Sequence, residues 1–450
     1  MIRYLLVALC TALVTLTADE TPLRVTLATN SPLTPVYVAT LDTTTSTYPA
    51  SYTAELERTL HFDLQYGGTL SLVPHKTELE ARLSELSGSA SLNPKIWSEA
   101  GVAFAIKPTL TQGALSIDLL TVKTGSLKRF RHIPLSGNTI DDRRRIHTVT
   151  DAMHEAITGQ KGVASTTLLY AFQEKDSKGR WLSEIWQCDY DGANAHQVTR
   201  EEGYAITPAF VPPSSGRRAT TFSYVTYKQG QPKIYLSSLG KERGTPCVSL
   251  RGNQLLPTFS ATASTLAFIS DAAGSADLFV QAFDRETGCI GKPIQAYSFP
   301  SSVHASPTFS PDGSELAFVS DKDGTPRVYV IATPRGGLDG GLPKAKCLTT
   351  LHRDNTCPAW SPDGTKIAYS AKVAGIRQIM LYDCESKRET QLTTGPGHKE
   401  NPSWAPNSLH IVYNSITPAE SQLYIVDTCH KQSHQITRGV GRKHYPAWEP

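Results

Sequence analysis

The chain has 450 residues, too many for one ordinary core, so more than one domain is expected. Hydrophobic residues make up 39% and charged residues 19%, the balance of a soluble globular protein, and a net charge of +3 with no long basic run excludes a nucleic-acid footprint. The 29 prolines and 32 glycines point to many short strands joined by turns.

Arg3 precedes an uncharged, mostly apolar run from Tyr4 to Leu16, and Asp19 is the first acid. So short a run cannot span a bilayer, which takes ~20 apolar residues. Residues 1–18 therefore read as a secretory signal peptide cleaved near Ala18, which places the mature protein outside the cytoplasm. Cys10 lies inside the run with the bulky Leu9 before it, so lipidation is the lesser reading. Beyond it stand seven cysteines with no C-x-x-C pair, which read as buried small hydrophobes with one or two disulfides, and their odd number calls for at least one free thiol or an intermolecular bond.

Residues 19–160 carry no repeat and alternate helix and strand patterns, as in a separate mixed α/β domain behind a flexible N-terminal tail. Leu23–Thr29, Val102–Ile106, Leu115–Val122 and Arg129–Ile133 read as strands. Glu78–Leu86 reads as a helix, and Asn93 can cap a second that Pro94 opens. Asp141–Thr158 places Ile146, Val149, Met153, Ala156 and Ile157 on one helical face, with Asp141 or Asp142 as cap and Gly159 as stop. Gln160–Ala164 is the hinge into the C-terminal region.

From 161 to 450 the chain repeats itself. A Pro-x-aromatic anchor recurs at Pro208, Pro257, Pro307, Pro358, Pro402 and Pro446, at spacings of 49, 50, 51, 44 and 44 residues. That period, roughly 40–50 residues, suits a propeller blade. Within a unit the order is constant, as in CPAWS, a Pro362-Asp363-Gly364 turn, KIAYS, QIMLYD and TQLTT, four strands in all. One fourth strand is blurred near Pro293. The first unit lacks its first strand, and the chain ends on YPAWEP, a first strand with nothing after it. The last strand is therefore expected beside Thr166–Phe172, closing an all-β ring of six blades without a free edge.

The loops joining each fourth strand to the next first strand emerge on one face, around the mouth of the channel. Four successive units place a histidine there: His304, His352, His398 and His444. Arg353, Asp354, Lys399, Glu400 and Lys443 stand beside them, and the first unit offers Glu201 and Tyr204. These residues read as solvated loop, as a polar protein-docking face, or as an axial metal centre like that of some propeller-shaped polysaccharide lyases. The docking reading is preferred, because a propeller mouth is a rigid concave scaffold whose mixed donors, acceptors and tyrosine suit a polar interface, while the uneven offsets of the histidines from their prolines argue against a metal centre. Other chemistry is thin: there is no G-x-S-x-G elbow and no P-loop. Asp189, Asp383 and Asp427 fit turn capping, and Trp360, Trp404 and Trp448 fit blade packing.

TGQKGVASTTLLYAF, IWSEAGVAFAIKPTL, CDYDGANAHQVT and the terminal YPAWEP, in this domain order, resemble the TolB family of the Tol–Pal system. Three of the turns, at 211–216, 260–263 and 405–407, depart from its regular PDG set. The resemblance implies a periplasmic scaffold without enzymatic activity or cofactor, expected to act as a monomer. It would bind the OmpA-like domain of a peptidoglycan-associated lipoprotein at the propeller mouth. The N-terminal segment Asp19, Glu20, Thr21, Pro22, Leu23 and Arg24 would engage a TolA-like component of the inner-membrane Tol complex. The role implied is outer-membrane integrity and cell division. The competing reading is a secreted propeller lyase or hydrolase with a histidine-bound metal.

Overall fold

Thr34–Val38 (β1) and Ala50–Gln65 (α1) come first, and neither is among the elements predicted from sequence. The computed structural model describes residues 33–86, 88–334 and 341–450, and those from Leu33 on belong to one unit. The expected signal peptide, the tail Asp19–Arg24 and the strand Leu23–Thr29 lie outside the described residues. The next elements are β2 (Leu70–Leu72), α2 (Thr77–Glu85), α3 (Pro94–Glu99), β3 (Phe104–Thr111), β4 (Ala114–Thr121), β5 (Ser126–Pro134) and α4 (Thr139–Thr158).

The N-terminal sheet runs β2-β1-β3-β4-β5, with β1 parallel to both neighbours and β3 to β5 an antiparallel meander. Side chains alternate across it. Val36 and Val38 face the α1 and α4 side, with Leu56, Leu60, Ile146 and Met153. Tyr37 and Ala39 face the other side, where Leu79 and Leu83 of α2 and Trp97 of α3 cover them. Asn93 caps α3 through the Lys95 N–H, as its position predicts.

At α4 the cap differs from expectation. Asn138 accepts the Ile140 N–H, and Asp142 is turned inward to accept the N–H groups of Ser136 and Gly137 and the Tyr52 hydroxyl. Asp142 lies four residues past the cap position Asn138, too far into the helix to cap it. Its carboxylate serves the loop before the helix instead. Gly159, at φ 75°, ends α4 as predicted. In the junction after it, Asp151 accepts the N–H groups of Ala164 and Ser165, and a Cβ at Gly162 would lie 2.1 Å from the same carboxylate. The TGQKG stretch thus needs its second glycine to let the backbone fold over Asp151.

Six four-stranded sheets make up the rest of the described residues. The first contains β6 (Thr167–Lys175), β7 (Trp181–Asp189) and β8 (His196–Gln197). Its innermost member is the last strand of the chain, Arg442–Trp448, which pairs antiparallel to β6 with Trp448 opposite Leu168. The ring closes as the two sequence fragments require. The strand blurred near Pro293 is a full one, Gly288–Tyr297, with its register broken where Val280 and Ala282 pair across it. A proline within a strand calls for such a break. Cys247 and Cys289 form a disulfide between this sheet and the one before it, and Cys188, Cys347, Cys357, Cys384 and Cys429 are free. No described helix is long and apolar enough to cross a membrane.

Candidate functional site

The six innermost strands are Ala205–Phe210, Gln254–Phe259, His304–Phe309, Asn355–Trp360, His398–Trp404 and Arg442–Trp448. Every one carries the Pro-x-aromatic anchor, and in every one the residue before the proline has a left-handed φ: Thr207, Leu256, Ser306, Cys357, Asn401 and Tyr445. Each strand also slips register against its neighbour at that point. Proline brings no N–H to the ladder, so the strand bulges and re-aims a side chain. The six bulge residues line a cavity of about 640 Å³ on the axis, with Trp360, Trp404 and Trp448. The lining continues to Pro212, Pro311, Pro362 and Pro406, so the cavity belongs to the side of the turns between first and second strands.

That side also carries the N-terminal region. His410 Nε2 lies 2.7 Å from the Tyr66 carbonyl oxygen, and His430 Nε2 lies 3.1 Å from that of Leu70. The Tyr190 hydroxyl donates to Asp63, and Arg143 pairs with Asp191. The opposite face has a different character. Trp181, Tyr227, Phe299, Val303, Leu351, Ile376 and Val440 are exposed there, Val440 by 86%. Phe299, Val303, Leu351 and Val440 stand in loops before a first strand, Tyr227 in a turn between second and third strands, and Trp181 and Ile376 open third strands directly after such turns. So many large apolar side chains on one exposed face suit a protein interface.

The mouth residues predicted from sequence fall into three groups. Lys399 and Lys443 are 4% exposed and turn inward. The Lys399 ammonium donates to the carbonyls of Gly395, Pro396 and Gly397, and that of Lys443 to the carbonyls of residues 438–441. Burial pushes both below the usual lysine pKa. His304 is buried as well, edge-on to Tyr297 and Phe318, and burial lowers its pKa. Gln254, His304, Asn355, Lys399 and Lys443 all stand three residues before the anchor proline. Gln254 and Asn355 likewise donate to carbonyls of the preceding loop.

A second group gathers around Arg377. Its guanidinium pairs with Asp354 at 2.6 Å and lies 3.4 Å from Glu400, and its N–H donates to His398 Nδ1 at 3.2 Å. Burial raises the pKa of Glu400 against the pull of Arg377. The remaining residues stay apart. Glu201 is buried under the Tyr224 hydroxyl and Lys228, which hold its pKa low although burial alone would raise it. Tyr204 accepts from Gln173 and packs edge-on to Tyr227. His352 is half-buried and Arg353 is exposed. Burial first, and Arg442 second, bring the pKa of His444 down to about 4. The four histidines do not meet: the one group of three or more His, Cys or acidic side chains able to hold a metal among the described residues is elsewhere.

A family profile described as the TolB beta propeller domain matches residues 154–450. The Protein TolB homolog of Protochlamydia amoebophila is 42% identical over 389 residues, covering 85% of this chain and 82% of its own. The chain belongs to the TolB family. The Protein TolB homolog of Chlamydia trachomatis serovar L2 is 34% identical over 404 residues, covering 89% of this chain and 84% of its own. TolB from Acinetobacter baumannii, known as a crystal structure, superposes with a TM-score of 0.72 over 93% of this chain and 97% of its own, at 20% identity, a likeness of fold.

Within this TolB-family propeller, sequence reasoning missed Arg377 and the apolar rim. Arg377 sits in an ordinary V-A-G-I-R-Q hairpin, and its partners come from the loop before one first strand and from the start of the next. The rim had a usable signal. Phe299, Val303, Leu351 and Val440 are bulky apolar residues in loops whose immediate neighbours are Ser, Pro, Thr, His and Gly.

Proposed function

We propose that the chain is a non-enzymatic periplasmic scaffold of the Tol–Pal system. The propeller face bearing Val440, Leu351 and the Arg377 cluster docks the OmpA-like domain of a peptidoglycan-associated lipoprotein. The N-terminal segment Asp19–Arg24 recruits a TolA-like inner-membrane component, and the assembly serves outer-membrane integrity and cell division. Family membership supports the system. The Cys247–Cys289 bridge suits an oxidising compartment. One observation carries the docking face: seven of the nine exposed large apolar side chains among the described propeller residues share one side, Ile290 and Leu342 being the exceptions, and the N-terminal region occupies the other.

Calorimetric titration of residues 19–450 with the soluble domain of the same organism's lipoprotein tests this. One-to-one binding is expected, unchanged by EDTA. Val440→Asp and Leu351→Asp should each weaken it at least tenfold while leaving the melting temperature in place. Absence of binding between folded partners, or binding indifferent to both variants, overturns the assignment.

A further inference from the structure

The seam between α4 and the turn from β7 to β8 holds a group of side chains that the scaffold reading does not use. His147 is 1% exposed and its Nδ1 lies 2.8 Å from the Asp63 carboxylate. The Tyr190 hydroxyl fixes that carboxylate at 2.9 Å. The other ring nitrogen, Nε2, has no hydrogen-bond partner and faces Asp191 Oδ2 at 3.9 Å. Asp189 completes the group, and one ligand atom from each of His147, Asp189 and Asp191 lies within 4.8 Å of the other two.

We propose that His147 Nε2 and the carboxylates of Asp189 and Asp191 form a binding site for a first-row divalent cation of the Zn²⁺ kind, riveting the N-terminal region to the first blade. Three features support it. A carboxylate on Nδ1 places the proton there and leaves Nε2 as a lone-pair donor, the outer-shell arrangement of metal-bound histidines. One imidazole and two carboxylates make a borderline donor set suited to Zn²⁺ with a fourth position open to water.

The third feature is charge. Asp63, Asp189 and Asp191 have side chains 0%, 5% and 5% exposed, and Arg143 is the buried cation that pairs with Asp191. Arg144 lies 3.9 Å from Asp189 with its side chain half in solvent, and Arg218 is committed to Glu449. Buried carboxylates thus outnumber buried cations, an imbalance that burial makes costly and a dication removes. Zn²⁺ ligand atoms stand ~3.4 Å apart in tetrahedral geometry. The two aspartates must therefore close in, and both sit on a turn. Asp191 would share its charge between Arg143 and the ion. Asp191 also accepts the Ala193 N–H and Asp189 accepts from Asn194, bonds that hold the turn in place.

The test uses residues 19–450 stripped with EDTA and titrated with Zn²⁺ by calorimetry, with melting curves at each step. One ion per chain is expected to bind below 10 µM (order of magnitude for a three-ligand site) and to raise the melting temperature. Asp189→Asn, on the turn, should weaken binding at least tenfold, and His147→Gln should do the same. Substituted Co²⁺ should show no thiolate charge-transfer band, which separates this site from the five free cysteines. No saturable binding, or equal affinity in Asp189→Asn and wild type, or a thiolate band, overturns the proposal. Asp189→Asn decides the matter if His147→Gln does not fold.

Discussion

Glu449 comes directly after the last strand and works as the clasp of the ring. Its carboxylate accepts the N–H and the hydroxyl of Thr167, each at 3.0 Å, from the strand that begins the propeller. It also takes the Arg218 guanidinium at 3.0 and 2.6 Å, from the neighbouring blade. The Ala219 N–H reaches it as well, at 3.3 Å, so Glu449→Ala strips four groups of this acceptor. A hydrogen bond to a charged acceptor is worth ~1.5–3 kcal/mol, and the Thr167 N–H, half-buried, loses most of that. The Arg218 side chain is 60% exposed, so its pair adds under ~1 kcal/mol. The expected loss is about 3 kcal/mol. Urea unfolding followed by tryptophan fluorescence reads it directly, because the adjacent Trp448 is buried and bonded to Thr166. Glu449→Gln keeps an acceptor and should lose about half as much, and Arg218→Ala less than ~1 kcal/mol. A Glu449→Ala midpoint within ~0.5 kcal/mol of wild type, the range of an ordinary surface change, would refute the clasp.

Lys387 and Lys431 adopt φ of 61° and 57° at the turn position where another blade has Gly288 at 82°. Lys387→Gly should stabilise by up to ~1 kcal/mol in the same urea assay, since the relieved left-handed strain exceeds the added chain entropy. Reducing Cys247–Cys289, which spans 42 residues, should cost about 4 kcal/mol by loop entropy, seen as a lower melting temperature in dithiothreitol. His444 and His410 are held neutral, chiefly by burial, with pKa values below the ordinary 6.5. Their contribution is full above pH 6.5 and is lost as pH falls below it; for His444 the loss runs towards pH 4 and amounts to up to ~2 kcal/mol after allowing for its partial exposure. His430, held up first by its bond to Asp427, works in the opposite sense, so the comparison is wild type against His444→Gln between pH 7.5 and pH 4.5.

The anchors and turns of the propeller were legible because each blade must solve the same burial problem with the same local chemistry. Pro-x-aromatic spacing therefore counted the blades, PDG turns marked two of them, and the orphan strands at either end located the closure. The bulge itself was not legible. A residue before proline ordinarily prefers an extended conformation, and Thr207, Leu256, Ser306, Cys357, Asn401 and Tyr445 have no common chemistry. The mouth residues show why a shared loop is not a shared role. Lys399 and Lys443 begin at the same distance from their prolines as Gln254 and Asn355, and strand alternation sends all four inward. Residues at other offsets, such as His398 and Arg353, reach solvent. α1 carries Tyr52, Leu56, Leu60 and Leu64 on one face, a helical period that the sequence does display. The His147–Asp63 pair joins residues 84 apart, and no local pattern announces it.

The buried lysines also bear on how a rigid ring presents an adaptable face. In the loop before the last strand, the carbonyls of residues 438–441 converge on the Lys443 ammonium, and Val440 projects outward from the same loop. Gly439 and Gly441 flank Val440 at φ of 82° and 79°, so the backbone there has little stiffness of its own. Lysine replaces it. Lys443→Met keeps the side-chain volume but leaves the carbonyls to water, which they can reach because the loop is at the surface. Global stability should therefore fall by no more than ~1 kcal/mol, while amide exchange in residues 438–441 should accelerate at least tenfold. Affinity for the lipoprotein domain should drop with it, because ordering the loop then becomes part of binding. Exchange at wild-type rates in Lys443→Met would mean that the glycines already fix the loop and that the lysine merely fills space.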